Sequence, residues 1–580
     1  MSLAQLKSLP QTAIGGLNPI RIVVVAAALV LGVLAPSYFV LNSIRAVAGA
    51  YSPTPFFDQW GVVFDYASID SVGDFLAVLF RQSNEHRILF PRLIFFTDLY
   101  VFRGGNVLNL ASTFAVQAAS LALLARLAWD ADRKAASLIL AGLAAALMFS
   151  FGQWENFLWG FQVQFVLVYA AGAGSIYLFY RAFAGDGRPD YRTWAASLLL
   201  LVVSAFSMAN GVIAGAAAVA VGLLARLPAR ALGLHAAATG LVLAIYLIGY
   251  QGVPGHSKLD AVLTTPLLFA EYVATYLGNL ARFHGLPESQ ALGAVGLILA
   301  LAAAARVALG RDKSPERLAL VGVMAFIIAT AMVTGAGRLG FGLLQAFSSR
   351  YLTPTSWFWA VQAIFWLPLI AARLRLANFA ATAAVALAAL VFLYDLQVDS
   401  RPDFYHRATQ TRAASDILLT GANDPEPLLM IHWDMSLLDK GAGILRDRRL
   451  SLYREGAHLW VGRRIDQVAT LAGREACLGA FDVLETAPKG AALRGLGWAW
   501  DVADDRPVDR IVVTDGGGVV IGLGGASFMP RGDVMDAVDV VDEELVGWSA
   551  VIRRPKQPEI VAYAALRDGR MCEIGRKAVP

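Results

Sequence analysis

Three stretches of this chain gather side chains able to do chemistry. The first holds Thr54-Pro55-Phe56-Phe57-Asp58-Gln59-Trp60 and, further on, Asn84-Glu85-His86-Arg87 with Pro91-Arg92. A carboxylate framed by Phe56, Phe57 and Trp60 is partly desolvated, so it holds a proton more readily and suits a general base acting on a hydroxyl. Asp58 is that carboxylate, unless it only caps a helix. Glu85 is a second candidate for the same role. Arg87 and Arg92 can clamp a phosphate, because a guanidinium pairs with its oxygens in bidentate fashion. His86 can donate to a phosphate or a sugar hydroxyl.

The second stretch is Gln153-Trp154-Glu155-Asn156 with Trp159. Indole faces pack on the C–H surfaces of a sugar while a carboxylate binds its hydroxyls, so Trp154, Glu155 and Trp159 could hold a sugar or an acceptor, with Trp60 and Lys258 beside them. Tryptophan is equally an anchor at a membrane interface. The third stretch, 337–353, is flanked by Arg338 and Arg350, which can bind either a phosphate or lipid headgroups. Neither a zinc-protease His-Glu-x-x-His, a phosphate-cradling Walker loop, nor a Gly-x-Ser-x-Gly elbow is present. No cofactor is indicated; a divalent metal is compatible with these acids, but no residue pattern requires one.

The elements that position these residues must sit in lipid. Of 580 residues, 57% are hydrophobic and only 16% charged, against roughly 25% charged in soluble domains. The mean hydropathy is +0.56. A cytosolic enzyme and a disordered chain are excluded. The net charge of +4 gives no case for nucleic acid. A bilayer crossing takes about 20 apolar residues. Spans are read at 20–42, 106–128, 135–152, 160–182, 194–209, 211–226, 232–250, 290–309, 318–336, 354–373 and 376–395, about eleven in all. The first is too long for a signal-peptide core.

Arginines and lysines alternate across these spans: Arg126, Arg133, Lys134, Arg181, Arg226, Arg306, Arg311 and Arg373 share one side. By the positive-inside rule the N-terminus is then inside and the C-terminus outside. The stretch 194–226 is too long for one crossing and short for two. It reads as a hairpin with Asn210-Gly211 at its tip, leaving room for a cavity on the outer side. The first outer loop, 43–105, holds two stretches, 71–81 and 88–102, that suit helices lying in the interface.

Charges become frequent after Asp395. Residues 396–477 read as an extracytoplasmic α/β linker, with a strand at Leu428–His432 and a helix at 435–447. Residues 478–580 read as a β-sandwich, with strands from Arg510, Val519, Gly547 and Glu559 and a hairpin turn at Asp515-Gly516. Cys477 and Cys572 both fall in this compartment. They form either a disulfide or two buried thiols.

A long first outer loop with interfacial helices, an acid soon after the first span, and later outer arginines together resemble the superfamily-C (GT-C) glycosyltransferases over residues 1–395. The run Gly497-Trp498-Ala499-Trp500-Asp501, Arg531-Gly532-Asp533-Val534 and Gly547-Trp548 resembles a β-sandwich module of bacterial surface proteins. The first resemblance implies a multi-pass enzyme of the bacterial inner membrane with a periplasmic C-terminal domain. It would move a sugar from a polyprenyl-phosphate donor to a glycan or lipid-linked acceptor. Asp58 would act as its catalytic base or bind the acceptor, and Arg338 or Arg350 would hold the lipid phosphate; from the residues alone, Glu85 stays open as the base. The second implies carbohydrate binding or structural support. A transporter or flippase, or a non-catalytic scaffold for envelope polysaccharide, is the competing expectation. A transporter calls for polar residues within the spans and an internal repeat; few intramembrane charges and no clear repeat are present.

Overall fold

The computed structural model describes residues 19–184, 188–252, 259–310 and 312–579; Lys258 and Arg311 lie outside the described residues. Among these, eight helices are long and apolar enough to cross a membrane: Pro19–Gly49, Val107–Ala128, Lys134–Leu158, Gly160–Phe183, Ala229–Leu247, Leu286–Leu309, Pro315–Phe341 and Arg375–Thr420. The protein is membrane-embedded. The other three expected spans correspond to shorter helices, Tyr191–Ala205, Ile213–Leu224 and Leu352–Trp366. At 1.5 Å per residue these are roughly 18–22 Å long, less than the roughly 30 Å of a hydrocarbon core.

The helix Lys134–Met148 is buried along most of its length. Its Gly142 meets the first helix so closely that a Cβ there would lie 2.6 Å from the Cα of Gly32. Without a hydrophobic driving force between helices in lipid, such small-residue contacts allow the close packing that holds a bundle. The helix breaks at Phe149, and the freed carbonyls find partners, as they must in apolar surroundings. Gln153 Nε2 donates to Met148 O at 2.7 Å, while its Oε1 accepts from Gln117 at 2.9 Å and from Thr353 at 2.6 Å.

The loop after the first span folds into helices Gln59–Ala67, Val72–Phe80 and Leu89–Val101, the last two at the positions where helices were expected. Ser71 caps the second of these by accepting from Asp74 N at 3.2 Å. Between the last two lies a small hairpin, β1 (Gln82–Ser83) and β2 (His86–Arg87).

The segment after the last span differs from expectation. The apolar helix Arg375–Asp399 runs almost directly into Arg401–Thr420. Leu428–Ile431 belongs to a helix, Pro425–Ile431, where a strand was expected; the helix Met435–Asp447 is present. A short apolar run cannot be told from a strand by periodicity, and here Pro425 and Pro427 start a helix. Nor is the segment a linker. Phe56, Trp60, Leu438, Leu445, Val512, Leu523 and Val551 share one core, so it is mortar between the first outer loop and the final sheet.

That sheet is a single one of eight antiparallel strands, where two facing sheets were expected. Its strands are β3 (Cys477–Thr486), β4 (Leu493–Asp501), β5 (Arg506–Pro507), β6 (Arg510–Asp515), β7 (Val520–Ala526), β8 (Gly547–Ile552), β9 (Glu559–Ala565) and β10 (Met571–Ala578). The order is β10-β9-β6-β7-β8-β4-β3, with β5 on β4. The Cys477–Cys572 disulfide joins the two end strands, and the sheet is barrel-like. Strand alternation reports which face is buried, not whether that face closes on its own sheet or on another. The turn at Asp515 is as expected: its Oδ1 accepts from Gly517 N at 3.0 Å and Val519 N at 2.9 Å.

Candidate functional site

Asp58 sits on a tight turn leading into the helix Gln59–Ala67. The residue before it, Phe57, has φ +42°, a strained conformation for a bulky side chain. Phe57 is held there by its N–H, which donates to Ile431 O at 2.8 Å, so the helical segment after the membrane domain sets the turn. Asp58 makes no side-chain cap. Asp58 is an exposed residue whose carboxyl is nonetheless surrounded by protein. Burial lifts its carboxyl above the ordinary carboxylate range, against the pull of Arg350 and a hydrogen bond with Asn84; Glu85 raises it further and His432 lowers it.

Glu85 lies beside it at the turn of the β1–β2 hairpin. It forms an ion pair with Arg338, which ends the helix Pro315–Arg338. His86 Nε2 stands 3.8 Å from the Glu85 carboxylate, and its Nδ1 accepts from Ala209 N at 3.3 Å. The tip of the short-helix hairpin therefore meets the first outer loop, which is where the shortness of those helices leaves space. An open recess of about 650 Å³ lies alongside, lined by Asn84, Arg87, Phe80, Ile248 and Gln251.

A second centre forms around Glu155. Its Oε2 accepts from Ser348 Oγ and Ser349 Oγ at 2.9 Å each and from Arg350 N at 3.1 Å. These three donors fix the carboxyl against the 348–350 turn. Arg350 faces Phe165 at 6.0 Å and Tyr351 at 5.8 Å, and its charge acts on both Glu155 and Asp58. Arg407, from the helix Arg401–Thr420, stacks over Phe56 and acts on Glu155. Arg282 pairs with Asp403 at 3.1 Å and also acts on Glu155. Next to Arg282 in the chain, Ala281 lines an apolar cavity of about 500 Å³ with Leu280, Leu292, Trp359, Phe392 and Leu393.

The structure thus brings together Asp58, Glu85, His86, Glu155, Arg338 and Arg350. It commits four other expected site residues to packing and backbone contacts. Arg87 is buried: its guanidinium donates to Tyr246 O at 2.7 Å and to the carbonyls of Phe80 and Ile248, fixing the hairpin to the end of the helix Ala229–Leu247. Arg92 is 2% exposed; it donates to Arg81 O and pairs with Asp65 at 3.2 Å. Neither can turn its fork to a phosphate. Trp60 is fully buried and carries Gly441 against its ring. Trp159 packs into Phe56 at 5.1 Å and Phe161 at 5.9 Å. Neither indole offers a face to a sugar. Trp154 is half-buried against Phe151, Phe157 and their neighbours. Lys258 cannot be placed.

Asn84, Ser348, Ser349, His432 and Arg407 complete the cluster without having been singled out as site residues. Asn84 has a local signal, a φ of +48° at a hairpin tip, of the kind asparagine tolerates. The others reach the site by long-range docking and carry no local signal. No protein-family model matches this chain, and no curated protein matches it.

Proposed function

We propose that the protein is an integral membrane glycosyltransferase that moves a sugar from a polyprenyl-phosphate donor to a glycan or lipid-linked acceptor. The observation that carries this reading is the accessible Asp58 carboxylate, with raised proton affinity, set beside the cations Arg350 and Arg338. Asp58 takes the proton of an acceptor hydroxyl. The hydroxyl oxygen bonds to the anomeric carbon as the bond from that carbon to the phosphate oxygen breaks. Arg350 and Arg338 stabilise the negative charge on the departing polyprenyl phosphate. The apolar cavity beside Arg282 offers the isoprenoid chain a place in the bundle. Glu155, held by Ser348 and Ser349, keeps Arg350 in position.

The alternation of cationic loops supports an N-terminus inside and a C-terminal domain outside. The reaction then lies on the periplasmic face of a bacterial inner membrane. Purified protein, wild type beside Asp58→Asn, is tested for transfer or donor hydrolysis with a panel of radiolabelled polyprenyl-phosphate sugars. Turnover that Asp58→Asn abolishes, with folding intact, is the expected result. Absence of turnover with every donor and acceptor, while lipid phosphate still binds, overturns it in favour of a flippase or scaffold.

A further inference from the structure

A second cavity, of about 520 Å³, lies in the extracytoplasmic body. It is walled by the end of the first span (Gly49, Tyr51, Pro53), the helix Arg401–Thr420 (Arg412, Asp416) and the start of β6. Unlike the apolar cavity among the spans, its lining is rich in charge. Arg510 lies across the face of Trp460 at 5.9 Å, and its Nη1 is buried and meets no hydrogen-bond acceptor. Arg412 donates to a backbone carbonyl, Asp509 O, at 3.4 Å and lies over the Phe528 ring at 5.9 Å. Asp416 is 6% exposed, and the charges acting on it are those of Arg510 and Arg412. The other charges of the cavity are already matched: Arg506 with Asp509 at 2.8 Å, and Glu455 with Arg454 at 3.3 Å.

Two guanidiniums against one carboxylate leave one positive charge in excess. Buried charge at such a place is unfavourable unless something completes it. A bare anion answers the excess positive charge but gives the Asp416 carboxylate no hydrogen-bond donor. A ligand that brings both an anionic group for Arg412 and Arg510 and a hydroxyl donor for Asp416 meets the three groups left unmatched. We infer that this cavity binds an acidic saccharide unit, one carrying a carboxylate or a phosphate. Its volume falls within the range of small-ligand sites.

The cavity is tied to the Asp58 region. Ser415, in the cavity wall, is hydrogen-bonded through its Oγ to Thr54 Oγ1, next to the lining Pro53 and four residues before Asp58. Arg407 and Asp416 lie nine residues apart on one helix, about 13 Å along its axis. On the transferase reading, this places the acidic unit on an acceptor whose reacting end lies at Asp58. That step alone rests on the reading; binding to the cavity does not.

The test is calorimetric titration of the full chain in nanodiscs, without donor, using glucuronate, glucose 6-phosphate, glucose and inorganic phosphate. Glucuronate or glucose 6-phosphate binds at least about ten-fold more tightly than glucose, and which of the two binds identifies the anion. Arg510→Gln weakens this about ten-fold or more, whereas Asp416→Asn does not weaken the anionic contact and Asp58→Asn leaves it unchanged. Thermal unfolding of each variant checks the fold, and Arg412→Gln serves if Arg510→Gln fails to fold. Equal binding of glucose and glucuronate, or no effect of either arginine, overturns the proposal. Inorganic phosphate binding as tightly as glucose 6-phosphate overturns its saccharide part.

Discussion

Glu85→Gln and Arg350→Gln should move the pH dependence of turnover in opposite directions. Asp58 acts as a base only when ionised, so on the acid side the rate falls ten-fold per pH unit below its pKa. Burial puts that pKa above the ordinary range; Arg350 pulls it down and Glu85 pushes it up. Removing the Glu85 charge must therefore shift the acid limb to lower pH, and removing the Arg350 charge must shift it higher. The sizes differ. Glu85 is already paired with Arg338, so much of its field is cancelled and its loss should move the limb by under about one unit. An unpaired neighbouring charge moves a carboxyl by roughly one to three units, and one unit corresponds to about 1.4 kcal/mol. Arg350 also holds Glu155, so the Arg350→Gln shift should be about one unit. The assay is kcat/KM for sugar transfer from about pH 4 to pH 8, a window set around ordinary carboxylate values, with residual activity sufficing for Arg350→Gln. A limb that stays put in both variants, or moves with the signs reversed, refutes Asp58 as the titrating base. If Glu85 is the base instead, Glu85→Gln erases the limb and loses about 10²–10⁴ in rate.

Three further outcomes follow from packing. Arg494 joins the fully buried Asp424 at 2.7 Å and Glu426 at 3.0 Å; Arg494→Met strands a buried carboxylate, which should destabilise the β4 contact by about 3–5 kcal/mol. Faster hydrogen exchange across 425–431 reads this, and unchanged protection refutes it. Cys477→Ser with Cys572→Ser opens a closure spanning 95 residues, worth about 4–5 kcal/mol in the chain-entropy account, so the sheet should unfold at lower denaturant than wild type. Gly142→Leu drives a side chain into Gly32 and should cost about 1–3 kcal/mol through overpacking, seen as a lowered thermal midpoint in detergent. Gly240→Leu, where a Cβ meets nothing within 4 Å, is the control and should leave the midpoint unchanged.

The positions of the membrane helices were legible because hydrophobicity over about twenty residues is a property of each segment alone. All eleven expected positions hold helices, although three are short. The strand positions after Arg510 were legible for a similar reason. What they assemble into was not, since barrel-like closure depends on pairings between distant strands such as β6 with β9. The site divides along the same line. Asp58 and Glu85 announced themselves as acids beside aromatics and cations. Arg87 and Arg338 looked alike in sequence, both being arginines of outer segments. Three backbone carbonyls claim Arg87, while a single carboxylate claims Arg338, and only the folded chain separates them. Trp60 and Trp159 failed as sugar platforms because an aromatic near an interface is also the best filler for a core there.

Those buried tryptophans explain how the site is built. Trp60 takes Gly441 against its ring, Phe57 donates to Ile431, and Phe56 lies under Arg407. Each contact joins the turn bearing Asp58 to the helical segment that follows the last span. A left-handed Phe57 would relax in an isolated loop; it persists because the segment 425–447 holds it. The Arg350 that tunes Asp58 comes from another loop, fixed through Glu155 and Ser348. Asp58 is thus positioned by the C-terminal body and its electrostatic partner Arg350 by the loop between membrane helices, so the two come into register only when body and bundle are docked. The aromatic cluster around Asp58 is the surface across which that docking occurs, which accounts for its burial and for the absence of an open indole face beside the acid.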